Sequence, residues 1–344
     1  INEELADEPD VQAQMMEVIG RAYRVMGRFE QAAALFEKAL AIRQGLYGNV
    51  HRDVAGTLFE LAYVFHEQGD FARADSLFGA WLILLKTIPV ENDQRQADRF
   101  RLVGEFYIMK RDYNTAEPPL RAALRFYQET YETPHQAVGG ILRNLAVLAR
   151  EQGRYAEAVT LLRDALALYR SLGQEDTQAF GATLMVLGGT LWQQGDYDEA
   201  EVVLRETLAH FRTQYGDEDY PALASSVLRL ARFLYDRQNY DEAEALYREA
   251  ADRFRQRFGD TYVLALRSQE ELADVLRSRG AFEEAEALLL KTLAVFQEQR
   301  GQQHPYTQGT LGRLTALYEA WEKPEAAVRY RALLDSTVTA PPPH

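Results

Sequence analysis

Side chains capable of acid–base, nucleophilic or metal chemistry occur in this sequence, but not at the spacings that such chemistry needs. The chain has 344 residues and no cysteine, which excludes a thiolate metal site, a cysteine nucleophile and a disulfide scaffold. Its six histidines are far apart and lack metal-ligand spacing. The sequence contains no glycine-rich phosphate loop, no GxSxG elbow and no HExxH zinc motif. We therefore expect no catalytic residue, no metal site and no cofactor, and thus a chain that is not an enzyme.

One short motif, His51-Arg52-Asp53, matches the start of the catalytic loop of protein kinases. That loop also needs an asparagine five residues after the aspartate, and Leu58 stands there. The triplet is also in register with His304-Pro305, which opens a helix in the repeat described below. We interpret it as a helix start.

Charge and hydropathy argue against two classes of partner. The chain carries 52 acidic and 38 basic residues, a formal net charge of −14, whereas nucleic-acid affinity rests mainly on Lys and Arg that neutralise phosphates. The longest apolar run, Phe78 to Leu85, is far shorter than the ~18 residues of a membrane-spanning helix. We expect no nucleic-acid partner and no membrane insertion. The localisation stays open, because a cysteine-free chain suits either side of a membrane.

One phrase recurs along the chain: glycine, any residue, an aromatic residue, two further residues and alanine. It first occurs as Gly27-Arg28-Phe29-Glu30-Gln31-Ala32, and two copies have Arg111 or Gln238 in place of the glycine. The successive alanines are 42, 42, 42, 42, 43, 42 and 42 residues apart. A constant period over this many copies indicates an internal repeat. The repeating alanines are Ala32, Ala74, Ala116, Ala158, Ala200, Ala243, Ala285 and Ala327.

Each repeat predicts two helices joined by a short turn, because apolar residues recur at helical spacing before and after the glycine. The glycine suits the left-handed position that ends a helix. Two turns are followed by the pattern of a capping box, namely Asp196 with Glu199 and Asn239 with Glu242.

A small residue stands twelve positions before each repeating alanine, within the first helix of the repeat. Helix axes approach each other closely where the facing side chains are small. A single helix pair cannot bury its apolar face, so the repeats must stack. The eight small residues are Gly20, Ala62, Gly104, Ala146, Gly188, Ala231, Ala273 and Thr315.

The pattern resembles the tetratricopeptide repeat (TPR), whose consensus has Leu-Gly, a large residue three positions later, and two alanines around an aromatic or aliphatic residue. Leu187-Gly188 matches the first element. A TPR unit has 34 residues, so the period of 42 implies longer helices and resembles the kinesin-light-chain type. Trp81 departs from the pattern, since alanine is usual there. The remaining matches are Tyr23, Phe65, Tyr107, Phe36, Phe78, Ala39, Ala123, Ala165 and Ala250.

The resemblance implies an all-α fold, a right-handed α-solenoid superhelix of about eight TPR helix-turn-helix units. We place a lead-in at residues 1–9, one continuous solenoid at 10–337 and a proline-rich tail at 338–344. It also implies a protein or peptide as partner. The last repeat, which carries Trp321 and Tyr330, matches the pattern only weakly, and self-association through it is left open.

The N-terminal stretch is similar to a segment of bacterial serine/threonine kinases, where it opens a TPR region after the kinase domain and a membrane helix. The similarity lies in Glu4 to Ala13, Ile19 to Tyr23 and Gly27. It implies an alternative function, the regulatory or sensory region of a kinase whose catalytic domain lies outside this segment. The chain would then be an excised part of a longer protein.

In TPR proteins the first helices line the concave wall, and four positions around the small residue should face the groove: three and two before it, one and four after it. In the middle repeats these positions are rich in arginine, although the chain is acidic. Of its 38 basic residues, 33 are arginine, which pairs bidentately with carboxylates. The candidate groove residues are Arg101, Arg143, Asn144, Arg150, Trp192, Arg229, Arg232 and Tyr235.

Two interpretations of these residues remain open. In one, the groove binds an extended, partly acidic peptide, with Asn144 for backbone amides and Trp192 and Tyr235 for apolar side chains. In the other, the arginines bridge Glu and Asp residues of neighbouring repeats and hold the solenoid together.

Overall fold

The computed structural model describes residues 8–88, 93–131, 135–216, 218 and 220–338, and their regular structure is entirely helical. The all-α prediction is confirmed. Most of the predicted lead-in (1–7) and tail (339–344) lies outside the described residues. The described residues form sixteen helices: α1 (Pro9–Val25), α2 (Phe29–Tyr47), α3 (Arg52–Gln68), α4 (Phe71–Leu84), α5 (Gln94–Met109), α6 (Tyr113–Thr130), α7 (Gln136–Glu151), α8 (Tyr155–Ser171), α9 (Gln178–Gln194), α10 (Tyr197–Tyr215), α11 (Pro221–Asp236), α12 (Tyr240–Phe258), α13 (Val263–Ser278), α14 (Phe282–Arg300), α15 (Pro305–Ala320) and α16 (Pro324–Val338).

The chain consists of two compact units, Ile1–Thr133 and Pro134–His344. In each unit every odd-numbered helix packs against the helix that follows it, and consecutive pairs pack on one another within a stack. The first unit holds three such helix pairs and the second holds five. The eight pairs coincide with the eight repeats of the sequence.

The turn between the two helices of a repeat has a left-handed residue, as the glycines predict. Gly69 and Gly195, for example, have φ of 84° and 96°. In the three repeats that lack the glycine, Arg111, Gln238 and Glu322 adopt φ of 60°, 62° and 57°. Since an L side chain is disfavoured in this region, the stacking of the two helices must hold these residues there.

The small residues allow close packing of the two helices in a repeat. A Cβ atom at Gly104 would lie 2.4 Å from Leu120, and one at Gly188 would lie 2.7 Å from Leu204. Both distances are shorter than a carbon–carbon contact allows. The second helix therefore occupies the space that the missing side chain leaves.

The two predicted capping boxes are wrong, because neither Asp196 nor Asn239 caps its helix with a side-chain hydrogen bond. The glutamates that would complete the boxes instead form ion pairs with an arginine of the preceding repeat. Arg163 pairs with Glu199 at 2.7 Å, and Arg205 pairs with Glu242 at 2.6 Å. Arg248 and Glu284 repeat the arrangement at 2.7 Å. These three pairs form an Arg–Glu ladder along the second helices of the second unit.

The histidine-led phrase opens helices, as predicted for His51-Arg52-Asp53. The Nδ1 of His51 accepts a hydrogen bond from the backbone N–H of Asp53 at 3.3 Å. His304 accepts one from the N–H of Tyr306 at 3.2 Å. The imidazole thus satisfies one of the N–H groups that a helix start leaves free.

Candidate functional site

The first helices of neighbouring repeats pack side by side in the second unit, where α7 contacts α9 and α9 contacts α11. Seven of the eight candidate residues lie on these three helices. Arg101 lies on α5, in the first unit, and pairs within its own helix with Glu105 at 2.8 Å. The candidates of the second unit are Arg143, Asn144 and Arg150 on α7, Trp192 on α9, and Arg229, Arg232 and Tyr235 on α11.

Arg229 of α11 is partly buried and forms no ion pair with any acidic residue in the described part of the chain. Its Nε atom is buried and has no hydrogen-bond partner among the described residues. Burial lowers the pKa of Arg229, and the positive charges of Arg150 and Arg232 lower it further. An uncompensated guanidinium in such surroundings carries a free-energy cost that a bound anion would remove.

Arg232, one helical turn further along α11, forms a bidentate ion pair with Glu271 of α13. Its Nε and Nη2 atoms donate to the two carboxylate oxygens at 2.7 and 2.6 Å. This pair joins first helices of adjacent repeats, the structural interpretation that the sequence left open. Glu271 was not singled out from the sequence, because its partner lies 39 residues away.

The two arginines of α7 differ in their pairing. Arg150 donates to Glu151 at 2.8 Å, while its Nε is buried without a hydrogen-bond partner in the described chain. Arg143 is half-buried and has no acidic partner among the described residues. Its charge acts on Tyr169, where it opposes the rise in pKa that burial causes.

Two of the candidate side chains on these helices are aromatic. Trp192 packs edge-on against the buried ring of Phe233, with the ring centroids 5.7 Å apart. Burial raises the pKa of the Asp236 carboxyl at the end of α11, and the Trp192 indole acts against that rise. Tyr235 lies 5.7 Å from Tyr240. Both Trp192 and Tyr235 remain partly exposed, so each offers an apolar edge.

Not every predicted groove position faces outward. Asn144 is buried, 9% exposed, and the glutamates three positions before the small residue, Glu17 and Glu270, are only 8% and 3% exposed. Each of these glutamates accepts a hydrogen bond of 2.6 Å from a threonine of the next first helix, Thr57 or Thr310. The expectation that this position faces the groove is wrong for both glutamates, because the threonine draws the carboxylate between the helices.

Two further properties bear on the chemistry of this surface. Across the described ranges, no group of three or more His, Asp or Glu side chains is arranged to hold a metal ion. None of the described helices combines the length and the apolar character that crossing a membrane requires.

A sequence model described as Tetratricopeptide repeat matches residues 11–79, 96–171, 222–298 and 264–330, and a second with the same description matches residues 149–223. The chain belongs to the tetratricopeptide repeat family. The resemblance inferred from the 42-residue repeat is thereby confirmed, and the helix pairs are TPR units.

Among known proteins, this TPR chain is similar to Protein KINESIN LIGHT CHAIN-RELATED 2 of Arabidopsis thaliana, with 28% identity over 141 residues. The match covers 41% of this chain and 21% of the plant protein, about a fifth of that relative's length.

Two solved structures share the fold. A putative kinesin light chain of Podosopora anserina with nearly identical TPR-like repeats has a TM-score of 0.54 and 22% identity, covering 60% of this chain and all of that one. A Rap protein complexed with competence and sporulation factor has a TM-score of 0.54 and 12% identity, covering 96% and 98%. The similarity to the N-terminal stretch of bacterial kinases stays a hypothesis, and Glu4 to Asp7 lie outside the described residues.

Proposed function

We propose that this TPR chain is a non-catalytic scaffold that binds an extended, partly acidic peptide on the α7–α9–α11 surface, with Arg229 as the central contact. The observation that carries the proposal is the state of Arg229: partly buried, beside two further arginines, and without an acidic partner among the described residues. The Rap protein complex supports it in one respect, since that protein has the same fold and is described with a bound factor.

A carboxylate is the ligand group that fits Arg229 best. It would supply two acceptor oxygens to the planar guanidinium fork and would offset the mutual repulsion with Arg150 and Arg232. Arg143, which also has no acidic partner in the described chain, offers a second contact on the neighbouring first helix α7. Arg232 is held by Glu271 and is a structural residue in this scheme.

The aromatic residues account for a requirement beyond charge. Trp192 and Tyr235 present partly exposed rings on the same group of helices as Arg229. An apolar side chain of the peptide would pack on these edges and lose its contact with water. We therefore expect the preferred peptide to combine carboxylates with at least one large apolar residue.

Fluorescence anisotropy tests the proposal. The probe is a fluorescein-labelled library of 12-residue peptides with two fixed central glutamates, and the control library has glutamines there. The wild-type protein should bind peptides of the glutamate library and not those of the control library. For the peptides that bind, R229Q should raise the dissociation constant roughly ten-fold or more, because one charged hydrogen-bonded pair is lost.

The matched control is R212Q, because Arg212 is an exposed second-helix arginine paired with Glu249. R212Q should bind like the wild type. Equal retention of both libraries, or binding by R229Q at wild-type strength, would overturn the proposal.

A further inference from the structure

The first unit contains a polar cavity of about 160 Å³, separate from the proposed peptide surface of the second unit. It lies among the helices α1 to α5 and is lined mainly by charged and polar side chains. The residues that matter for its chemistry are Glu17, Arg43, Trp81, Leu85, Gln96 and Arg99.

The cavity exists because the first two repeats depart from the others at one position of the second helix. This position, eleven residues after the repeating alanine, holds a buried aromatic ring in the next five repeats. In the first two repeats it holds Arg43 and Leu85 instead, and both line the cavity. The space that a ring fills elsewhere is therefore left open here. The five buried rings belong to Tyr127, Tyr169, Phe211, Phe254 and Phe296.

Arg99 places a positive charge where the other repeats have a small or apolar side chain. It stands five residues before the small residue Gly104, at a position that is otherwise mostly buried serine or threonine. Its nearest carboxylate, Glu60, is 3.8 Å away, longer than the ~2.7–2.9 Å of a good charged hydrogen bond. The guanidinium lies 5.1 Å from the ring centroid of Phe59. The equivalent hydroxyl residues are Thr57, Thr183, Ser226, Ser268 and Thr310.

Three residues that line the cavity carry buried hydrogen-bond donors with no acceptor among the described residues: Nε1 of Trp81, Nε2 of Gln96 and Nε of Arg43. All three side chains are more than nine-tenths buried, at 0%, 7% and 6% exposure. Buried polar groups almost always have a partner, and here the missing partners are all acceptors. Glu17 forms an ion pair with Nη1 of Arg43 and accepts a hydrogen bond from the hydroxyl of Thr57, but it accepts none from these three donor atoms.

We infer that this cavity binds the oxyanion group, a carboxylate or a phosphate, of a small molecule. Such a group supplies several acceptor oxygens at once, and a guanidinium such as Arg99 pairs with it in two-pronged geometry. The volume corresponds to roughly ten water-sized spaces, enough for a small metabolite and too small for a peptide. Arg99 and Glu60 also border an open cleft of about 430 Å³, so the ligand pocket adjoins the surface.

Titration calorimetry of the full chain, at constant ionic strength set with sodium chloride, tests the inference. Inorganic phosphate and succinate are the two probes, titrated separately. Binding of phosphate alone assigns a phosphate ligand, and binding of succinate alone assigns a carboxylate ligand. R99Q and W81F, which removes the indole N–H and keeps a ring, should each bind the active probe several-fold more weakly; for R99Q the loss should be roughly ten-fold or more.

The control is R121Q, an exposed arginine of the first unit that pairs with Glu117 and lies outside the cavity; it should bind like the wild type. A second readout needs no change in the cavity. With Trp192 and Trp321 both replaced by phenylalanine, Trp81 is the remaining tryptophan of three, and the probe should shift its emission. No heat and no shift with either probe, or unweakened binding by R99Q, would overturn the inference. The peptide surface is untouched by that result, since its probe and its variants are different.

Discussion

A Cβ atom added at Gly189 of α9 would lie 2.7 Å from Nη1 of Arg229 on α11. The missing side chain at position 189 therefore provides the space in which the guanidinium lies. The adjacent Gly188 has a different neighbour, because its added Cβ would lie 2.7 Å from Cδ2 of the buried Leu204. Two consecutive glycines thus serve different purposes: Gly189 leaves room for the Arg229 guanidinium, and Gly188 allows the two helices of the repeat to pack.

We expect Gly189→Ala to weaken peptide binding and Gly188→Ala to lower stability. Gly189→Ala should displace the flexible end of Arg229 and weaken acidic-peptide binding several-fold. Its fold should be retained, because alanine improves helix propensity by up to about 1 kcal/mol. Gly188→Ala should lower the free energy of unfolding by about 1–3 kcal/mol through overpacking against Leu204. Urea unfolding and anisotropy measure the two effects, and equal destabilisation by both would contradict the assignment.

Arg229 should be dispensable for stability. The pKa of its guanidinium is lowered by desolvation and by Arg150 and Arg232, so the charged form is disfavoured in the folded protein. R229Q should therefore unfold at the same or a higher urea concentration, with a gain of up to about 1 kcal/mol. R232Q should lose about 1–3 kcal/mol, because it removes both charged hydrogen bonds to Glu271 and leaves that carboxylate only the longer ion pair with Arg267, at 4.0 Å. A loss of stability in R229Q comparable to that of R232Q would show that Arg229 is structural.

The left-handed conformation of Gln238 predicts a stabilising substitution. A φ of 62° is higher in free energy for glutamine than for glycine, so glycine should stabilise the folded turn. The greater conformational freedom of glycine in the unfolded chain offsets part of this stabilisation. Gln238→Gly should raise the free energy of unfolding by about 0.5–1 kcal/mol. Gln238→Ala, the matched control, keeps the Cβ and should change it by less than about 0.5 kcal/mol. Similar gains from both would mean that the turn conformation is not the cause.

Glu270 predicts a pH dependence of stability. Its pKa is raised above the usual 4.5, mainly by desolvation, against the hydrogen bond from Thr310 and the charge of Arg313. The folded state therefore binds this proton more readily than the unfolded state does. The contribution of this proton to the free energy of unfolding is fully present below the pKa of Glu270 in the unfolded chain. It is lost as the pH rises through the higher pKa of Glu270 in the folded protein. Glu270→Gln should gain stability relative to the wild type between about pH 4 and about pH 7. A difference that is constant over this range would refute it.

The helix pairs could be predicted because they depend on spacing alone. The period places a left-handed residue at each turn and a small residue at each crossing, and the structure has both, including φ of 60° at Arg111, where the glycine is missing. The pairing of individual charges could not be predicted in this way. Whether a glutamate caps its own helix or binds an arginine of the preceding repeat depends on side-chain reach, and Glu199 does the latter.

The burial of charged residues was also beyond the sequence. Glu270 has the spacing of a groove residue, but Thr310, forty residues later, holds its carboxylate between the helices. Arg229 and Arg232 both stand at predicted groove positions, yet only Arg232 forms an ion pair with an acid, Glu271, among the described residues. The cavity of the first unit depends on the combined shape of Arg43 and Leu85 with their neighbours, which no single repeat reveals.

The Arg–Glu ladder of the second unit has a mechanical consequence. Its rungs, among them Arg205 with Glu242, join neighbouring repeats along the second helices and are exposed to solvent. Bending the stack away from that side must stretch several rungs together, so the ladder adds to the flexural rigidity of the unit. Exposed ion pairs weaken as salt screens them. The flexural rigidity of the second unit should therefore depend on ionic strength: the stack should be stiffer in dilute buffer and more flexible in concentrated salt.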